Sequence, residues 1–136
     1  MFRAVLTGSL LLISSTVWAF QFPIEMIEGI DGARVVININ KQDLDDDPRW
    51  IPFESAPPIT IAGALDIVQS HLAKNPALKD AILRDIQLRR IPHHENNWHY
   101  MVVIQTSRDG SPVLHYYAVL MSGKLITAIR EPESYK

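Results

Sequence analysis

From Trp98 to Thr106 the chain alternates. Trp98, Tyr100, Val102 and Ile104 fall on one side, and His99, Met101, Val103 and Gln105 on the other. Successive strand side chains point to opposite faces, so W-H-Y-M-V-V-I-Q-T predicts a strand with one strongly apolar face and one mixed face. Aromatic and β-branched residues, which suit a pleated surface, dominate it. Val113–Met121 repeats the pattern after the turn-rich S-R-D-G-S-P, and Lys124–Arg130 follows Ser122-Gly123. The C-terminal half therefore reads as an antiparallel meander.

Upstream, Asp85 to Ile91 has the same period of two, with Ile86 and Leu88 facing one way and Asp85, Gln87 and Arg89 the other. Ala33–Asn40 is another strand. Its Val35, Ile37 and Ile39 share a face, while Asn38 and Asn40 make the other half-solvated, as at a sheet edge. Between these strands the period changes. Thr60 is a good N-cap, and Ile61, Ala64, Leu65, Val68 and Leu72 form one apolar stripe on a helix of Ile61–Lys74. Gly63 in its first turn would let the helix sit close to the sheet. Asn75-Pro76 opens a second short helix running to about Leu83. Phe20–Gly32 is a mixed lead-in ending at the turn signal Asp31-Gly32, and Lys41–Pro58, rich in aspartate and proline, reads as a long loop. The expected fold is α+β: one main helix plus a short helix packed on one face of a four- to five-stranded antiparallel sheet.

Composition narrows the setting. Met1-Phe2-Arg3 followed by an apolar run to Trp18, with Val17 and Ala19 at the −3 and −1 positions, predicts a signal peptide over residues 1–19. The mature chain, residues 20–136, is then a single domain, periplasmic or secreted, with no further run long enough to span a membrane. There are no cysteines, which excludes a disulfide framework, a thiol nucleophile and a lipid anchor on cysteine. Removing Arg3 takes the net charge from −2 to −3, which offers nothing to nucleic acid.

Asp85-Ile86-Gln87-Leu88, Trp98-His99-Tyr100-Met101-Val102 and Ser122-Gly123-Lys124-Leu125-Ile126 together resemble the PepSY and PepSY-like domains of exported bacterial proteins, over roughly Thr60–Arg130. A cystatin-like helix-on-sheet arrangement fits the same pattern. Those domains usually carry an Asp-rich turn before their last strand, where this chain has Leu120-Met121-Ser122-Gly123, and the acidic loop lies outside their pattern. The resemblance implies a small non-catalytic module that inhibits proteases or binds peptides and proteins.

Candidate chemistry is sparse. His93, His94 and His99 with Glu95 could supply nitrogens and a carboxylate to zinc or copper, but His94 and His99 are five apart, not the i, i+4 pair of a helical zinc site. Asp43, Asp45, Asp46 and Asp47 lack the glycine and the position-12 glutamate of a calcium loop. No G-x-S-x-G, S-x-x-K or phosphate-binding glycine loop occurs, and no cofactor is expected. His115, mid-strand beside Val113, Tyr117 and Val119, reads as a core or edge histidine with a satisfied hydrogen bond. The reading is thus a non-enzymatic, exported protein-binding module, an inhibitor or immunity-type protein. It would contact its partner through Asp45, Asp46, Asp47, Trp50 and Phe53, or by strand addition at an open Ala33–Asn40 or Leu125–Ile129 edge. The alternative is a periplasmic metal-binding protein using His93, His94, Glu95 and His99.

Overall fold

Alternation along six segments produces one antiparallel sheet. In the computed structural model, which describes residues 24–30 and 32–131, the strands are β1 (Ile24–Ile30), β2 (Ala33–Ile39), β3 (Ile82–Ile91), β4 (His94–Arg108), β5 (Ser111–Leu120) and β6 (Leu125–Arg130). Their order across the sheet is β1-β2-β6-β5-β4-β3. Helices α1 (Lys41–Asp45) and α2 (Ile61–Leu72) and a single 3-10 turn (Pro76–Leu78) complete the described elements. The signal-peptide reading of residues 1–19 lies outside the described residues.

The α+β expectation is corrected. Half of the described residues are strand, the sheet curls into a half-barrel, and one real helix packs on it. Three differences account for the change. The lead-in supplies a sixth strand, because β1 pairs along its whole length with β2 across the Asp-Gly dipeptide, where Gly32 takes φ +77°. The second helix shrinks to one 3-10 turn, because Asn75 caps it but Ile82 already belongs to β3. The curl then covers both faces of the central strands.

Those two faces carry separate cores. Inside the curl, Met26 and Ile30 of β1 and Val35, Ile37 and Ile39 of β2 close over Met101 and Val103 of β4 and Tyr116, Ala118 and Leu120 of β5. On the outer face, Tyr100, Val102 and Ile104 of β4 and Tyr117 and Val119 of β5 meet Ala64 and Val68 of α2. Burying one such side chain stabilises the fold by roughly 1.5–3 kcal/mol. The face of β4 that reads as mixed is therefore as dry as the other, His99 included, at 0% exposure.

The joins have local causes. Arg108 pairs with Ser111, and Asp109 and Gly110 between them take φ +52° and +80°, the two positive angles of a type I′ hairpin. Gly63 does not bring α2 close to the sheet; a Cβ there would lie 3.0 Å from the Ile59 side chain, which packs over the helix start. Thr60 Oγ1 accepts the Gly63 N–H at 3.1 Å, as the capping pattern requires. Thr60→Ala is expected to lower stability by about 1 kcal/mol, and Thr60→Ser by much less, in urea unfolding.

Neither strand expected as an open edge is one. β2 lies between β1 and β6, and β6 between β2 and β5. Among the described strands the edges are β1 and β3. The ladder of β3 shifts register at Arg84, a bulge that discourages pairing with another strand.

Candidate functional site

The acidic segment that reads as a long loop is an ordered strap. Lys41–Asp45 forms a short helix whose Leu44 is buried in the inner core, and Lys41 Nζ pairs with Asp45 Oδ2 at 2.6 Å. Leu44 docks this turn against the sheet and carries Asp47 inward. There Asp47 Oδ1 accepts the Ser122 N–H at 2.8 Å, and Oδ2 accepts from Asn97 Nδ2 at 3.4 Å. The strap is thus tied to both the β5–β6 turn and the start of β4.

Asp47, Asn97 and His99 are the buried polar residues of the described chain. Burial pushes the Asp47 carboxyl above its ordinary value of 3.8, against the lowering pull of Ser122, Asn97 and the nearby His99. The folded state therefore holds this proton more tightly than the unfolded chain does. Its stabilising contribution is complete below 3.8 and is lost as pH rises through the raised value. Urea unfolding between about pH 3 and pH 7 should show wild type losing stability relative to Asp47→Asn as pH increases. A difference that does not change with pH, or that grows in favour of wild type, would remove this assignment.

Beyond Asp47 the strap is stapled again. The Trp50 N–H donates to Asn96 O at 2.9 Å, and its indole Nε1 donates to Ser55 O at 2.9 Å. The Trp50 ring meets Trp98 edge-on at 5.5 Å, and the Arg90 guanidinium lies 5.0 Å from the centre of the Trp98 ring. Between the two staples, the Glu54 N–H donates to Ile51 O at 3.3 Å, closing the turn Ile51-Pro52-Phe53-Glu54. Proline at its second position and a positive φ at its third are the marks of a type II turn. That third position normally takes glycine. Here it is Phe53, at φ +73° and 107% exposed.

The residues singled out in the acidic segment thus divide into two groups. Asp47 and Trp50 are buried supports, whereas Asp45, Asp46 and Phe53 face solvent. Asn96, Asn97 and Ser122 are the supports that sequence reasoning misses, because they lie at the far ends of other strands and turns.

The histidines are not brought together. His93 sits exposed in the β3–β4 turn at φ +64°, His94 is half-buried at the start of β4, and His99 is enclosed in the sheet. A separation of five places His94 and His99 on opposite faces of one strand. Among the described residues no group of three or more ligand-type side chains is placed to hold a metal ion. None of the described helices is long and apolar enough to cross a membrane. Thr106 and His115 do form a hydroxyl–imidazole pair at 2.8 Å. Among the described hydrogen bonds no carboxylate meets the other ring nitrogen of His115.

Comparison with protein-family models, with curated proteins and with solved structures finds no match to this chain.

Proposed function

We propose that this protein is a small non-catalytic binding module that engages a protein partner through Phe53. One observation carries the reading: a bulky apolar ring stands fully exposed at a strained, glycine-type position on a turn held by staples at both ends. Backbone strain of this kind costs roughly 1–2 kcal/mol, and it tends to persist where it is used. The staples hold the backbone of the turn rather than the ring, so the turn loses less entropy on binding than a loose loop would, and aromatic anchors of this kind dominate interfaces. Ile51, also exposed, would widen the apolar contact, and Asp45 and Asp46 would face a basic rim on the partner.

An inhibitor or an immunity-type protein fits this presentation. Export to the periplasm, and kinship with PepSY-like modules, belong to the same reading and rest on the sequence pattern alone. The test is a pull-down of the protein without residues 1–19 from periplasmic and envelope extract, with and without EDTA, beside Phe53→Ala. A single stoichiometric protein partner is expected that survives EDTA and is lost with Phe53→Ala. A partner captured equally well by the variant, or captured only when metal is present, overturns the reading.

A further inference from the structure

On the outer face of the sheet, side-chain chemistry changes where α2 ends. Under the helix that face carries Tyr100, Val102 and Val119. The same alternation, continued past the last turn of the helix, places Thr106 and Arg108 on β4 and His115 and Val113 on β5. Past the helix this face opens, with Thr106 and His115 half-buried and Arg108 exposed. Thr106 and His115 satisfy each other in part, across the diagonal of the β4–β5 ladder. Over them, His71 in the last turn of α2 meets the Tyr117 ring edge-on at 5.2 Å. Between this roof and floor lies a cleft of about 700 Å³, with Arg108 at its lip.

We propose that this cleft binds a small organic anion, a molecule bearing a carboxylate or phosphate, held by Arg108 and His71 and seated on His115, Thr106 and Tyr117. The volume falls within the roughly 300–1,000 Å³ of small-molecule sites. Arg108 makes no ion pair among the described residues, so its fork of donors is free for a carboxylate or phosphate. Burial lowers the affinity of His115 for a proton and raises that of Tyr117, so the floor supplies neutral hydrogen-bonding groups. Val113 and Leu78 add an apolar wall for the body of the ligand. Asp109 shares the lip with Arg108 and opposes an anion. That opposition makes the test two-sided.

The experiment is an NMR titration of the ¹⁵N-labelled protein with inorganic phosphate, succinate and benzoate in turn. At least one probe should give saturable shifts confined to the cleft, at His71, Thr106, Arg108 and His115. Response to phosphate alone would mark a phosphate site, and response to succinate or benzoate a carboxylate site; each supports the anion assignment. Arg108→Gln should weaken that probe at least roughly tenfold, the worth of one charge-assisted hydrogen bond, and Asp109→Asn should tighten it. No saturable shift from any probe, or binding unchanged in Arg108→Gln, overturns the proposal. Binding weakened by Asp109→Asn also overturns it, because a purely anionic probe gains nothing from a carboxylate at the lip. Both substitutions lie on an exposed hairpin, and matching melting temperatures confirm that the fold is intact. The cleft and the Phe53 turn lie toward opposite ends of β4, about 30 Å apart along the strand, so either site can fail without the other.

Discussion

Replacing Tyr100 by alanine should destabilise the protein by about 4 kcal/mol, the largest effect of any single substitution argued from this structure. Tyr100 is 2% exposed and stands between β4 and α2, against Ala64 and Val68. Its phenol donates to Ile59 O at 2.9 Å, in the residue just before the Thr60 cap. Burial pushes the phenol above its ordinary value of 10.0, so it stays a donor throughout the physiological range. One side chain thus fills the outer core and also fixes where the chain turns into the helix. Alanine would leave a ring-sized cavity and an unpaired carbonyl together, out of a total stability of roughly 5–15 kcal/mol for a domain of this kind. Tyr100→Phe separates the two contributions and should cost only about 1 kcal/mol. Urea unfolding of both variants checks this. A loss below about 1.5 kcal/mol for Tyr100→Ala would mean that the site collapses around the gap and that α2 is held elsewhere.

How much of this fold is legible in the sequence depends on the range over which each feature is decided. Periodicity places β2, β4, β5 and β6 within a few residues, and Thr60 with the Ile61–Leu72 stripe places α2, because those signals are local. β1 escapes because the sequence I-E-M-I-E-G-I does not alternate apolar and polar residues, and α1 because one apolar residue, Leu44, cannot show a helical period. The deeper error concerns faces. Alternation tells which side chains of β4 lie together, but not how many faces are covered. Met101 and Val103 are buried because β1 and β2 curl over them from the other end of the sheet, a contact between residues far apart in sequence. An extra covered face replaces an extra helix.

Legibility of the sites follows the same rule. The acidic cluster and the histidine cluster are neighbours in sequence, which a strand or a tight strap then sends to different surroundings. Asp47 goes inward while Asp45 and Asp46 stay out, and His94 and His99 part across the sheet. The cleft shows the reverse case. His71, Thr106, His115 and Tyr117 come from a helix and two strands, and no spacing links them. Its one trace in the sequence is polar residues continuing an apolar alternation, Thr106 after Ile104 and His115 beside Val113 and Tyr117.

Phe53→Gly is expected to stabilise the protein by about 1 kcal/mol while weakening partner binding at least roughly thirtyfold. The two effects share one cause. At φ +73° a phenylalanine pays for a left-handed backbone that glycine adopts freely, and at 107% exposure its ring gains nothing from the fold in return. Pro52 before it and the Ile51–Glu54 turn bond keep that geometry whichever residue follows. A residue kept for folding would lose stability on the substitution. A residue kept for contact would be improved as a fold and ruined as a binder. Phe53→Ala distinguishes the contributions further, because it removes the ring but keeps most of the strain: it should lose binding as glycine does and gain little stability. Chemical denaturation together with titration of the captured partner measures both quantities on the same variants. Unchanged affinity in Phe53→Gly alongside higher stability would make the strain a by-product of Trp50 stapling the turn, and would remove Phe53 from any interface. Lower stability in Phe53→Gly would mean instead that the ring packs on the strap in solution.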